Sequence, residues 1–220
     1  MRPSCRSRLV GVLAALTFTL ALGAAGARAT AVTPQNVPFQ AGAVGNITLE
    51  TLPAAHTIVC ASHTLSDVIP FTLTNPGVTG PGNSIIADIN GMSSSSTNLL
   101  SGCVIDRASS LSGGALAPWS FSWNVLNTPA RAVRVGAVAL PERGIELADP
   151  SCTITADVGS VQSMSGQWTN GGAAATLTFV RQGLIATSTT GCAYGTIQRL
   201  LFSGTYAVAT TAPTGPVGVN

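Results

Sequence analysis

The reading of the fold turns on residues 149–208. Asp149-Pro-Ser-Cys-Thr-Ile-Thr-Ala-Asp157 opens the stretch, and Ser165-Gly-Gln-Trp-Thr-Asn-Gly171 and Ala175-Thr-Leu-Thr-Phe179 carry it on. Cys192 follows, and Phe202-Ser-Gly-Thr-Tyr-Ala-Val208 closes it. All of it reads as strand and turn, with Cys152 and Cys192 placed to staple it. No residue in it has a catalytic signature.

The same pattern extends outward. Pro118-Trp-Ser-Phe-Ser-Trp-Asn-Val125 is the cleanest alternation, with Trp119, Phe121, Trp123 and Val125 on one face and Ser120, Ser122 and Asn124 on the other. That period of two is the mark of a half-buried strand. Further strands are expected at 44–52, 57–60, 65–73, 84–89, 99–105 and 131–139, with Pro70 marking an edge or bulge. Asn75-Pro-Gly77, Gly80-Pro-Gly-Asn83 and Leu140-Pro-Glu-Arg-Gly144 are turn chemistry, and 91–98 reads as a polar loop. No amphipathic helix of ten or more residues stands out beyond the N-terminal segment. The expected fold is all-β, an antiparallel β-sandwich or barrel-like domain of roughly eleven or twelve strands.

The N-terminus points to export. Arg2, Arg6 and Arg8 precede an apolar run from Leu9 to Leu22, and Ala27-Arg28-Ala29 is a small-x-small cleavage site, with Ala29-Thr30-Ala31 as a near equivalent. The run falls short of the roughly 20 residues a spanning helix needs, so residues 1–29 read as a signal peptide. Residues 30–43 are expected to be a lead-in, 44–211 the β domain and 212–220 a tail. The domain divides at 130/131 into two cysteine-bearing halves, 44–130 and 131–211. No cysteine follows the apolar run, and Thr214–Asn220 carries no hydrophobic anchor, so a released or non-covalently held protein is expected.

Charge narrows the partners. All ten basic residues are arginine, and Arg2, Arg6, Arg8 and Arg28 leave with the leader. Six arginines then face eight acids, a net charge of about −2. Without a basic patch, nucleic acid is an unsuitable partner. Charged residues are only 8% of the chain, against a usual quarter, and serine, threonine, glycine and alanine take their place.

Cys5 also leaves with the leader, and the four remaining cysteines imply two disulfides in an exported chain. Of three connectivities, Cys60–Cys103 and Cys152–Cys192 are favoured because their loops do not entangle. The separations are 43 and 40 residues, and each second cysteine follows a Ser/Thr-rich stretch and a glycine. This hints at an internal duplication.

Candidate chemistry is sparse. His56 and His63 bracket Cys60 as His-x3-Cys-x2-His, a ligand spacing that would suit zinc or copper if Cys60 were not bound for a disulfide. Either histidine could serve as the base of a secreted hydrolase, yet no Gly-x-Ser-x-Gly elbow accompanies them. Glu142, Glu146 and Asp149 cluster around Arg143 and read as a solvated turn with local charge pairing. Trp119, Trp123 and Trp168 could form a stacking platform for a glycan or an apolar ligand, or could belong to the core. No cofactor or metal is expected, and no catalytic residue is assigned. Asn46-Ile-Thr48 matches an N-glycosylation acceptor.

The order Cys152, Trp168, Cys192 resembles the immunoglobulin pattern, but the cysteine separation is short and Thr190 stands where a tyrosine is expected. From about Gly45 to Thr210 the chain resembles exported, Ser/Thr/Gly-rich actinobacterial envelope proteins, distantly similar to the protein activator of alkane oxidation family. The residues that carry the likeness are the paired cysteines, Leu116-Ala-Pro-Trp-Ser-Phe-Ser-Trp123 and the closing strand Leu201-Phe-Ser-Gly-Thr-Tyr-Ala-Val208. The resemblance implies a non-enzymatic surface or matrix role tied to hydrophobic material or biofilm, with cell-surface components as partners. It implies no active-site residues.

Overall fold

The computed structural model describes residues 30–34, 37–68, 74–75, 84–88, 98–115, 119–127, 132–156, 159 and 161–219. The leader, the turns within 76–83, the loop 91–97 and Pro118 lie outside the described residues. In chain order the strands are β1 (Thr30–Thr33), β2 (Pro38–Ala43), β3 (Ile47–Pro53), β4 (Thr57–Val68), β5 (Thr74–Asn75), β6 (Ser84–Asp88), β7 (Asn98–Ile105) and β8 (Ser109–Ala115). There follow β9 (Ser120–Asn127), β10 (Ala132–Leu140), β11 (Ile145–Asp149), β12 (Cys152–Ala156), β13 (Gln162–Thr169), β14 (Ala175–Ser188), β15 (Ile197–Thr211), β16 (Thr214–Pro216) and β17 (Gly218–Val219). There is no helix among the described residues.

Eight strands close into an antiparallel barrel in the order β3, β4, β7, β8, β11, β12, β14, β15 and back to β3. Closure removes the sheet edges that an open sheet of this length would leave unpaired. Each half of the chain supplies four consecutive members of the ring. Cys60 on β4 faces Cys103 on β7, and the two are disulfide-bonded. Cys152 on β12 is joined to Cys192, just beyond β14. Each staple therefore bridges the second and third strands of its own quartet.

The 30–43 segment departs from expectation, since it forms β1 and β2 rather than a lead-in. Its prolines misled the reading: Pro38 is the first residue of β2, a position where a missing amide is tolerated. β2 and β3 act as one wall element, because both pair with β4 and β15. Gly42 faces Thr64 while Ile47 faces Cys60, so five steps on one strand match four on the other, a bulge. Gly45 sits in it at φ +80°, a conformation that disfavours any residue with a Cβ.

β4 is likewise one long strand where two short ones were expected. Alternation loses phase at Ala61-Ser62, both exposed, opposite Ser101 and Gly102, and the sequence reads this slip as a break.

A second sheet, β13–β10–β9–β6, branches from β14. The first half of β14 pairs with β13 at Thr176–Thr178, and its second half pairs with β12 at Ala186–Ser188. Its pairing with β15 shifts between Phe179 and Gln182, and Arg181 there has φ 46°. Two glutamines bond backbone amides at the fork: Gln162 Oε1 accepts from the Ile185 amide at 2.7 Å, and Gln182 Oε1 from the Ser165 amide at 3.1 Å. Side-chain amides thus supply bonds that a neighbouring strand would otherwise make.

Inside the barrel, Trp119, Phe179, Phe202, Tyr206 and His63 pack edge to face, with ring centroids 4.9 to 6.3 Å apart. Gly204 lies between Phe202 and Tyr206 on β15, and a Cβ there would fall 2.3 Å from Ile47 Cδ1. Its bare backbone makes room for Ile47, which is fully buried.

Candidate functional site

The histidines separate into two environments. His63, on β4, is fully buried, and its Nδ1 lies 2.5 Å from the Tyr206 hydroxyl. Its ring meets Trp119 and Tyr206 edge-on, so it belongs to the core. Burial pushes the Tyr206 phenol well above its ordinary range, which keeps it neutral. His56 sits in the turn between β3 and β4, held by Thr51: the Thr51 amide donates to the His56 carbonyl at 2.9 Å, and the His56 amide donates to Thr51 Oγ1 at 3.0 Å. Its Nδ1 is 2.5 Å from Asp106 Oδ2.

Asp106 and Arg107 form the two-residue turn between β7 and β8, at φ 51° and 61°. Positive φ at both positions is the geometry of the hairpin turn that matches strand twist. It aims Asp106 back at β4, where Oδ1 accepts the Thr57 amide at 2.9 Å. The Thr57 amide, and after it the His56 ring, hold the Asp106 carboxyl below the usual carboxylate range.

The Cys192 loop completes the cluster. The edge of the Tyr194 ring meets His56 at 5.6 Å, and its hydroxyl donates to Asp149 Oδ2. Asp149 is held low by the Tyr194 hydroxyl first and then by Ser151, whose amide and hydroxyl each lie 2.7 Å from Oδ1. The same carboxylate raises the Tyr194 phenol. One end of the barrel therefore gathers His56, Asp106, Asp149 and Tyr194. On the same loop, a polar depression of about 320 Å³ is lined by Ser188, Thr189, Thr190, Gly191, Cys192, Gly195 and Thr196.

Asp106 and Tyr194 are absent from the sequence-level candidates. Their partners lie 50 and 45 positions away, and only the order of strands around the ring makes them neighbours. The turn character of Asp106-Arg107 between two strands was the available signal.

Of the three tryptophans, Trp119 and Trp168 are 2% and 3% exposed. Trp119 donates to the Gly144 carbonyl at 3.2 Å, and Trp168 to Asn170 Oδ1 at 2.9 Å. They serve as core, so the platform expected from Trp119 and Trp168 is not available to a ligand. Trp123 stands on β9 opposite Gly136, which in turn faces Gly166 on β13. Arg143 pairs with Glu146, while Asp149 turns to Tyr194, which separates the expected carboxylate cluster. Among the described residues, no three His, Cys, Asp or Glu side chains are placed to hold a metal, and no helix is long and apolar enough to cross a membrane.

No family model, curated protein or solved structure matches the chain.

Proposed function

We propose that the protein is an exported, non-catalytic barrel of the cell envelope or extracellular matrix, freed from a leader at 1–29. The observation that carries this reading is the placement of its aromatics. Trp119, Trp168, Phe179, Phe202 and Tyr206 are all buried, where they stabilise the barrel instead of lining a cleft. Two disulfides add covalent support suited to an oxidising compartment. The test is expression with the native leader in a secreting bacterial host, followed by fractionation and assay on ester, glycoside and peptide substrates. Wild type and His56→Ala should partition alike into the medium and the salt-extractable envelope, without turnover. An uncleaved cytosolic protein, or turnover abolished by His56→Ala, would overturn the proposal.

A second reading, a module that binds a glycan, is favoured by the barrel end. Tyr194 and His56 offer ring edges beside two ionised acceptors, Asp106 and Asp149, next to the polar depression. Titration with cell-wall oligosaccharides, followed by NMR shifts at residues 189–196, decides this reading. Shifts confined to that loop support it, and unchanged spectra reject it.

A further inference from the structure

The two disulfides are not equally accessible. Cys60 and Cys103 are 0% and 2% exposed, directly opposed within the barrel wall. Cys152 is also buried at 3%, but Cys192 is only partly buried and lines the depression at the barrel end. A thiolate must reach one sulfur of a disulfide to open it, so access separates the pairs.

We propose that Cys152–Cys192 is a thiol-exchange site, opened by a small dithiol reductant while Cys60–Cys103 stays closed. The reductant's thiolate attacks Cys192 Sγ, forming a mixed disulfide and expelling Cys152 as a thiolate, which takes up a proton. The reductant's second thiol then displaces Cys192 and leaves as a cyclic disulfide. The protein gains two electrons and two protons, and the reductant loses both. Attack on Cys60 or Cys103 instead requires the wall itself to open.

What the exchange controls is the loop 189–195. Without the covalent tie, the loop is held by weaker links. Thr189 and Thr153 exchange bonds, the Thr189 amide to the Thr153 carbonyl at 3.0 Å and the Thr153 amide to Thr189 Oγ1 at 3.1 Å. Ser188 Oγ donates to the Gly195 carbonyl at 3.1 Å, and Tyr194 bonds Asp149. The loop carries Tyr194, so opening the disulfide loosens the cluster around His56 and leaves the ring of strands intact.

The experiment is graded reduction of the native oxidised protein with dithiothreitol, pulse alkylation with iodoacetamide and peptide mass spectrometry. Cys152 and Cys192 should label about tenfold or more before Cys60 and Cys103. At that stage far-UV circular dichroism should be unchanged and amide exchange faster within 189–195. Simultaneous labelling of both pairs, or earlier labelling of Cys60 and Cys103, would overturn the proposal. As an independent check, the Cys152→Ser/Cys192→Ser variant should keep the barrel spectrum and a closed Cys60–Cys103 bond. Loss of the barrel in that variant would equally count against it.

Discussion

Asp106 extends the ladder between β4 and β7 with its backbone and its side chain together. Its amide donates to the Thr57 carbonyl at 2.8 Å, and its carboxylate accepts the Thr57 amide at 2.9 Å. Asp106 and Asp149 both have folded-state pKa values below their ordinary ones. Their contribution is complete above the unfolded carboxylate value of about 4 and is lost as pH falls through the lower folded values. Urea midpoints should therefore be level from pH 7 to about 5 and fall below about 4, with a shallower fall in Asp106→Asn. A midpoint constant down to pH 2 would contradict this. In the core, Tyr206→Phe removes the partner of His63 Nδ1 without opening a cavity. Leaving that buried nitrogen unmet should cost about 1–3 kcal/mol in denaturant unfolding. A neutral result would mean that the contact adds nothing.

At the scale of elements, the staples and bulges define the barrel. Cys60–Cys103 closes a loop of 43 residues in the sequence. Replacing both with alanine should lower unfolding free energy by about 4 kcal/mol in the chain-entropy picture, measured by urea titration. A loss below about 1 kcal/mol would show that the unfolded chain is already confined there. Strands with unbroken alternation, such as the one around Trp119–Val125, were legible because period two is a local property. β2 and the full length of β4 were not, because Pro38 and the phase slip at Ala61-Ser62 look like interruptions until their partners are known. The β14 fork was hidden for a similar reason. Its bonds run from Gln162 and Gln182 to distant amides, and nothing in a glutamine's neighbours announces that.

Across the whole molecule, the cysteine spacing carried more than the strand pattern did. Two cysteine loops of nearly equal length correspond to two quartets of ring strands, each stapled across its middle pair. The choice between sandwich and barrel was not legible, since the closing pairs β8–β11 and β15–β3 join residues from opposite halves of the chain. The barrel-end cluster escaped notice on the same grounds, because Asp106 and Tyr194 meet their partners only through ring closure. The central claim is an exported barrel carrying these two staples. Peptide mass mapping of the non-reduced protein recovered outside the producing cell tests it most directly. The account predicts an N-terminus at Thr30, or at Val32 from the alternative cleavage, with Cys60 linked to Cys103 and Cys152 to Cys192. A retained leader, free thiols or crossed pairing would contradict it.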